Sequence, residues 1–154
     1  MAAAVSVAAA LAGAVPAVAG DLLSGRDRRR LAKLVDRAER VTGLQIAVYV
    51  GPTEEDPGAH AERILQESGG ADVPAVLLLV APESRRIEIR TAPEARLRVP
   101  DDAAQRAVAA MSPVLAEGKL VAGVAAGLEV VVAAAGPKPQ GAAEGPELPD
   151  VITP

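Results

Sequence analysis

Six residues near the middle of the chain, 75–80 (AVLLLV), form an apolar run with no polar position in it. A strand with one face in water alternates apolar and polar side chains, so an unbroken run of this length predicts a strand buried on both faces. Such a strand needs other strands at its edges and helices over both of its faces. The run therefore constrains the fold more than any other feature of the sequence.

The segments around this run predict the rest of a small mixed sheet. Residues 44–50 alternate as a strand does, and residues 59–68 then show helical spacing. The strands that flank this helix should be parallel, with a right-handed crossover. Residues 86–91 follow the central run after a short turn, as the second arm of a hairpin. Isoleucines alternate with charged residues in this arm, which predicts an edge strand whose charges prevent further pairing.

A helix is predicted over residues 25–42, before the first of these strands. Ser24 is followed three positions later by Asp27, as in a capping box. Apolar residues then recur at helical spacing, and Gly43 stands where a helix commonly ends in a left-handed cap.

Two more helices are predicted after the hairpin. The first is capped by Asp101 or Asp102 and is kinked or broken by Pro113, and the second covers residues 120–134. The predicted fold class is therefore α/β, a three-layer-like domain. In it, helices pack on a small mixed sheet made of a parallel β-α-β unit and a β-hairpin.

Three regions of different composition predict the domain organisation. Residues 1–20 have no charged side chain and are rich in Ala, so they are either an extension or a weak signal-like segment with a cleavage pattern at 17–19. Residues 21–135 form the α/β domain, and residues 136–154, with five Pro and three Gly, are expected to be a disordered tail. Because no Lys or Arg lies near Met1, a cytoplasmic location is favoured over a secreted or membrane-associated one.

The composition excludes several kinds of chemistry. The chain has no Cys, one His (His60) and one aromatic residue (Tyr49), which excludes disulfides, thiolate nucleophiles, two-His metal sites and base-stacking platforms. Its net charge is −4. This balance disfavours non-specific nucleic-acid binding, and no nucleic-acid partner is expected.

Acidic residues offer one hypothesis for a metal site. They follow the first strand, where open α/β sheets place ligands, and recur at the start of a later helix: Glu54, Glu55, Asp56, Asp101 and Asp102. Carboxylate oxygens suit Ca²⁺ or Mg²⁺, although no cofactor is required by the sequence. Helix capping by the aspartates is the simpler interpretation. His60, beside this loop, is either a general base or a surface residue near a helix start.

The first helix carries a second candidate site. Its outer face is basic, through Arg26, Arg29, Arg30, Lys33 and Arg37. A cluster of this kind either contacts an anionic membrane surface weakly or is simply a solvated face with intrahelical ion pairs.

The order of elements resembles the TPM domain, over about residues 22–134. The similar stretches are 42–50 at the first helix–strand junction, 75–80 and 86–89 in the hairpin, and 97–102 before the last helices. An uncharacterised actinobacterial branch of small TPM-like proteins is the most similar group. The family includes a chloroplast lumen protein with acid phosphatase activity and an ion-channel accessory protein, and some of its members bind divalent cations.

The resemblance implies three alternative functions. One is a non-enzymatic binding or accessory module with a protein partner that the sequence does not identify. Another is a divalent-metal-dependent hydrolase similar to an acid phosphatase, and a third is a peripheral binder of anionic surfaces through the first helix. The family's glycine-rich stretch after the hairpin is reduced here to residues 91–94 (TAPE), which weakens the case for a phosphatase.

Overall fold

The structure is a computed structural model that describes residues 5–10, 23–54, 56–70, 72–141 and 147–154, the first of these ranges as backbone only. Its elements in chain order are β1 Val5–Ala10, α1 Gly25–Thr42, β2 Gln45–Val50, α2 Pro57–Glu67, β3 Ala75–Ala81, β4 Arg86–Thr91, α3 Pro93–Arg96, α4 Asp101–Ala116, α5 Leu120–Ala135 and β5 Val151–Ile152.

The five strands form one mixed sheet in the order β1-β4-β3-β2-β5. β3 pairs in parallel with β2 and antiparallel with β4, so that Leu78 lies between Val48 and Ile89. β1 adds antiparallel to β4, and the two-residue β5 adds in parallel to β2. All seven residues of β3 are buried, as the unbroken apolar run predicts.

Helices cover both faces of the sheet, which confirms the predicted α/β class. On one face α1, α4 and α5 pack over a core that includes Val35, Leu78 and Met111. On the other face α2 packs over Leu77 and Leu79. This division decides which side chains can meet, because residues on opposite faces are separated by the sheet itself.

The predicted caps of α1 are confirmed by the geometry at its two ends. The Ser24 hydroxyl oxygen accepts a hydrogen bond from the Asp27 N–H at 3.1 Å. Gly43 adopts a φ of 72°, and its N–H donates to the Glu39 carbonyl at 2.7 Å. These caps hold α1 in one place on the sheet, and so they also fix where its exposed face points.

The prediction that an aspartate caps α4 is wrong, and so is the alternative that Pro113 breaks this helix. Its N-cap is Pro100, so Asp101 and Asp102 occupy the first turn instead of capping it. The helix also continues through Pro113 to Ala116. The carbonyl that loses its partner to this proline belongs to Ala109, an exposed position where water can replace the missing N–H.

The prediction that β4 is an edge strand is wrong. β4 lies between β1 and β3, and Glu88, which was expected to face water, is fully buried. β1 pairs with β4 along its length, in the register Val5–Thr91 to Ala10–Arg86, and α2 packs across the charged side of the strand. Glu88 therefore lies inside the domain, and Arg86 and Arg90 on the same side of the strand are partly buried.

Both ends of the chain contribute to the sheet. Val5–Ala10 is a strand, where the composition indicates an extension or a signal-like segment. Near the other end, Val151 and Ile152 pair with β2, and Leu148 is buried against the α2 face, where a disordered tail is expected. Both segments join the sheet through backbone hydrogen bonds to a neighbouring strand, which do not depend on side-chain composition.

Candidate functional site

The basic face of α1 forms one continuous stripe. Each of its five cations lies three or four residues from another member, opposite the buried positions of the helix, and all five side chains are exposed: Arg26, Arg29, Arg30, Lys33 and Arg37. Residues at these spacings lie above one another on a helix surface. Within the part of the chain that the structure describes, none of the five forms an ion pair.

The other arginines of α1 are engaged differently. Arg40 pairs with Asp36, and the guanidinium holds the pKa of that carboxyl below its ordinary value. Arg28 donates to the Thr153 hydroxyl at 3.3 Å. Arg28 keeps its positive charge, because a hydroxyl is neutral, but its guanidinium contacts the residue that follows β5. The basic stripe is therefore the part of α1 whose cations have no side-chain partner in the described residues.

A groove runs beside the basic stripe, between α1 and α5. It encloses about 300 Å³, and most of its lining is apolar: Leu34, Arg37, Ala38, Val41, Ala125, Leu128, Glu129 and Val132. Nearer the start of both helices, Arg30 and Asp27 border a second recess with residues 118–122. The two helices therefore lie side by side along most of their length.

The acidic loop after β2 has internal partners for its described carboxylates. Glu54 pairs with Arg63 of α2, which lowers the pKa of Glu54. Asp56 is the N-cap of α2, and its carboxylate accepts from the Ala59 N–H at 3.1 Å. Glu55 lies outside the described residues. The described carboxylates of this loop are thus engaged with Arg63 and with the start of α2.

The two aspartates of α4 are not beside this loop. The loop follows Val50, which pairs with Val80 at the carboxyl end of β3. α4 follows the end of β4, where Thr91 pairs with Val76 near the start of β3, so the two acidic groups lie at opposite ends of the sheet. Asp102 there pairs with Arg106 at 2.7 Å.

No group of three or more His, Asp or Glu residues suited to hold a metal occurs in the described ranges, from which Glu55 is missing. Metal binding by the acidic loop therefore stays a prediction.

His60 is buried instead of lying on the surface. Its ring meets Tyr49 edge to face, with the ring centres 5.1 Å apart and the planes at 74°. The Thr53 hydroxyl lies 3.0 Å from His60 Nδ1, and the Tyr49 hydroxyl donates to the Pro52 carbonyl at 2.5 Å. These contacts hold the loop after β2 in place, which is a structural role for the histidine.

Glu88 is a buried carboxyl that the sequence analysis did not identify. Neither of its oxygens has a hydrogen-bond partner among the described residues. Burial raises the pKa of Glu88 to about 7, against an opposing effect of Arg90, while Asp56 raises it further and Arg86 lowers it. One sequence feature is consistent with this burial: Glu88 lies between Arg86 and Arg90 on one side of β4, next to the buried strand β3. If a helix covers that side of β4, the acidic and basic side chains are buried together.

A second carboxyl with a raised pKa lies where the end of the chain meets α1. Glu39 Oε1 accepts from the Ile46 N–H at 2.8 Å. Burial raises the pKa of Glu39 to about 7, against the effect of that hydrogen bond, and Asp150, Glu147 and Asp36 add to the rise. Protonation of Glu39 removes its negative charge and so reduces its repulsion with Asp150 and Glu147, in the segment that carries β5.

Comparison with known proteins places this chain in a family. The model of a family described as "Domain of unknown function (DUF5130)" matches residues 3–132. The chain belongs to the DUF5130 family. The matched region starts before β1 and ends within α5, so this DUF5130 domain includes both helices that line the groove.

Two curated relatives of this DUF5130 domain are proteins of Mycobacterium tuberculosis. They are the uncharacterized proteins Rv2468c of strain H37Rv and MT2543 of strain CDC 1551, each 33% identical over 100 residues. The match covers 65% of this chain and 59% of each relative. The chain therefore matches little more than half the length of these relatives.

Two solved structures resemble this DUF5130 domain. The BA42 protein of the psychrophilic bacterium Bizionia argentinensis has a TM-score of 0.70 at 20% identity, over 84% of this chain and 95% of BA42. The N-terminal domain of a P. gingivalis protein has a TM-score of 0.62 at 20% identity, over 74% of this chain and 76% of that domain. At this identity the likeness establishes the fold alone.

In the described ranges, no helix of the DUF5130 domain combines the length and the hydropathy that crossing a bilayer requires.

Proposed function

We propose that this DUF5130 domain is a non-enzymatic binding module that docks on anionic membrane surfaces through the basic stripe of α1. The observation that carries the proposal is the stripe itself. Five exposed cations share one face of a capped helix, and they have no carboxylate partner in the described part of the chain.

The energy available from such a stripe is sufficient for reversible docking. A Lys or Arg near an anionic bilayer contributes about 1 kcal/mol at moderate ionic strength. Five cations together contribute about 5 kcal/mol, which corresponds to a dissociation constant of about 0.2 mM before the cost of association is subtracted, so docking is weak and reversible. The apolar side of α1 is buried in the core, so the helix contacts the surface through its charges and does not insert.

The distribution of charge orients the domain at such a surface. The whole chain is negative, with a net charge of −4, although the stripe is strongly positive. The rest of the molecule is therefore repelled by the surface that attracts α1. This separation of charge favours one docking orientation and disfavours non-specific adsorption through other faces.

The alternative function, a divalent-metal-dependent hydrolase, rests on the resemblance to TPM proteins. It is the weaker proposal because the described carboxylates of the loop have partners, and because Asp101 and Asp102 begin a helix at the other end of the sheet. A binding role through α1 does not require the loop carboxylates to lie near Asp101 and Asp102.

Vesicle co-sedimentation tests the proposal. We expect the full chain to pellet with phosphatidylcholine vesicles that contain phosphatidylglycerol, to remain in solution with pure phosphatidylcholine, and to be released by salt. The triple variant Arg26→Gln, Arg29→Gln, Lys33→Gln should bind about 100-fold more weakly, since it lacks three of the five cations.

A matched control separates the stripe from net charge. The triple variant Arg85→Gln, Arg96→Gln, Arg106→Gln removes the same charge from exposed positions outside α1 and should bind as the parent does. Equal losses in both triple variants, or binding that ignores phosphatidylglycerol, would contradict docking through the stripe. Binding to duplex DNA of similar strength and salt dependence would count against a membrane as the partner.

A further inference from the structure

The outer side of α5 is unusually poor in charge for a helix at the surface. Glu129 is the one charged residue in this sixteen-residue helix. Apolar residues other than those packed on the sheet remain partly or fully exposed beside it: Val121, Ala122, Ala125, Val132 and Ala133. Covering such a face with another apolar surface is favourable, because it removes apolar area from water.

The groove between α1 and α5 lies along this face. Its walls hold one cation and one anion, Arg37 on α1 and Glu129 on α5, and its floor is formed by Leu34, Ala38 and Leu128. Arg37 and Glu129 do not pair with each other, and neither has an ion-pair partner elsewhere in the described ranges. Both charges are therefore available to a molecule that enters the groove.

The two large apolar side chains that protrude from the described surface lie near the end of this groove. Val41 is 46% exposed and Leu97 is 90% exposed. The carbonyl of Val41 accepts from the N–H of Lys138 at 2.7 Å, just after α5. Arg98, next to Leu97, donates to the carbonyls of Ala135 and Gly136. The two protruding side chains thus lie near the carboxyl-terminal ends of α1 and α5, the helices that form the groove.

We infer that the α1–α5 groove is the interface at which two copies of this chain form a symmetric dimer. A two-fold interface brings the same patch of both copies together, so that residue i meets j and j meets i. With Arg37 and Glu129 on opposite walls, each copy offers the other a cation and an anion at matching positions. A second copy also supplies both the protruding Val41 and the groove that receives it.

Other occupants fit the charges less well. A fatty acid or another anionic amphiphile would be attracted by Arg37 but repelled by Glu129. The dimer uses Arg37, which is also a member of the basic stripe, but Arg26, Arg29 and Lys33 do not line the groove and stay free. The inference rests on the groove and its two charges, and it does not require the proposed membrane docking.

Charge reversal across the groove tests the dimer. Sedimentation equilibrium and native mass spectrometry on the full chain should give a dimer for the parent. Arg37→Glu and Glu129→Arg should each weaken it by at least about tenfold, because each places two pairs of like charges in contact. The variant with both changes should recover the dimer, and an equimolar mixture of the two single variants should form the heterodimer.

The control is Arg29→Glu, which changes the same charge on α1 outside the groove and should remain dimeric. Circular dichroism at the same concentrations establishes that each variant is folded. A parent that is monomeric up to millimolar concentration overturns the inference, and so does a folded double variant that stays monomeric. A parent seen in native mass spectra as a monomer with a co-purified small amphiphile overturns it in favour of a ligand groove.

Discussion

Arg90 on β4 donates a hydrogen bond to the carboxylate of Glu62 on α2, and this ion pair fastens the helix to the sheet across 28 residues of chain. The Arg90 side chain is only 17% exposed, and that of Glu62 is 34% exposed. α2 therefore covers the charged side of β4 with a charge of its own, which makes the burial of this strand tolerable.

Removal of one member of this pair should destabilise the domain. Because Arg90 is largely buried, we expect Glu62→Gln to lower the free energy of unfolding by about 1 to 2 kcal/mol, between the values of exposed and buried pairs. A double-mutant cycle with Arg90→Gln, measured by urea unfolding, isolates the pair. The exposed pair Asp102–Arg106 is the control, and a coupling no larger than in that pair would contradict the role assigned to Glu62.

Stability should fall as the pH rises towards neutrality. Burial raises the pKa of Glu88 from 4.5 to about 7, so the folded state holds this proton more tightly than the unfolded state does. The contribution is complete below pH 4.5, declines as the pH rises to about 7 and is absent above it. Its size is on the order of 3 kcal/mol.

Urea unfolding from pH 4.5 to 8 measures this decline. Glu88→Gln keeps the shape of the protonated side chain and should flatten the curve. Glu39, whose pKa is also raised to about 7, should leave a remaining slope that Glu39→Gln removes. Identical pH profiles for the parent and Glu88→Gln would show that Glu88 titrates normally.

A methyl group on α5 should disturb its packing on α4. The Cβ of an alanine at position 123 would lie 2.5 Å from Leu115 Cγ, which is not the flexible end of that side chain. We therefore expect Gly123→Ala to cost about 1 to 3 kcal/mol, although alanine favours a helix more than glycine does. Gly25→Ala, where the nearest atom is 3.9 Å away, is the control and should be neutral or slightly stabilising in thermal melts.

Truncation of the central strand should be costly on both faces. Leu78 and Leu79 are fully buried and point to opposite sides of the sheet. Leu78→Ala and Leu79→Ala should each lower the free energy of unfolding by roughly 2 to 5 kcal/mol. The same change at the exposed Leu97 should have little effect, and a melting curve like that of the parent for either core variant would refute the burial of β3.

Loss of residues 147–154 should open the edge of β2. The segment supplies β5 and the buried Leu148, whose N–H donates to Gln45 Oε1 at 3.1 Å. A chain that stops after residue 146 should be less stable by about 1 to 3 kcal/mol and should self-associate more, because an uncovered edge pairs with other strands. Leu148→Ala separates the two effects, since it removes the packing but keeps the strand. Light scattering and urea unfolding together measure them.

Local patterns predict much of this fold. The caps of α1, the apolar run of β3 and the hairpin up to Thr91 follow from residues close together in sequence. The basic stripe of α1 is equally predictable, because helical spacing alone puts its members on one face.

Features that depend on distant segments were not predictable in this way. Val5–Ala10 has no alternation and becomes a strand only because β4 pairs with it. The burial of Glu88 and His60 depends on where α2 packs, and the groove depends on α5 lying beside α1. Local sequence does not encode which face of a strand a remote helix will cover.

The short strand β5 has a consequence for the family as a whole. The sequence that defines the DUF5130 family is matched up to residue 132, whereas β5 begins at Val151. The strand that completes the β2 side of the sheet thus lies beyond the shared domain. A relative without such a segment would leave the backbone groups on that side of β2 unpaired and open to another protein's strand. We expect this border, more than the common core, to determine how individual family members acquire different partners.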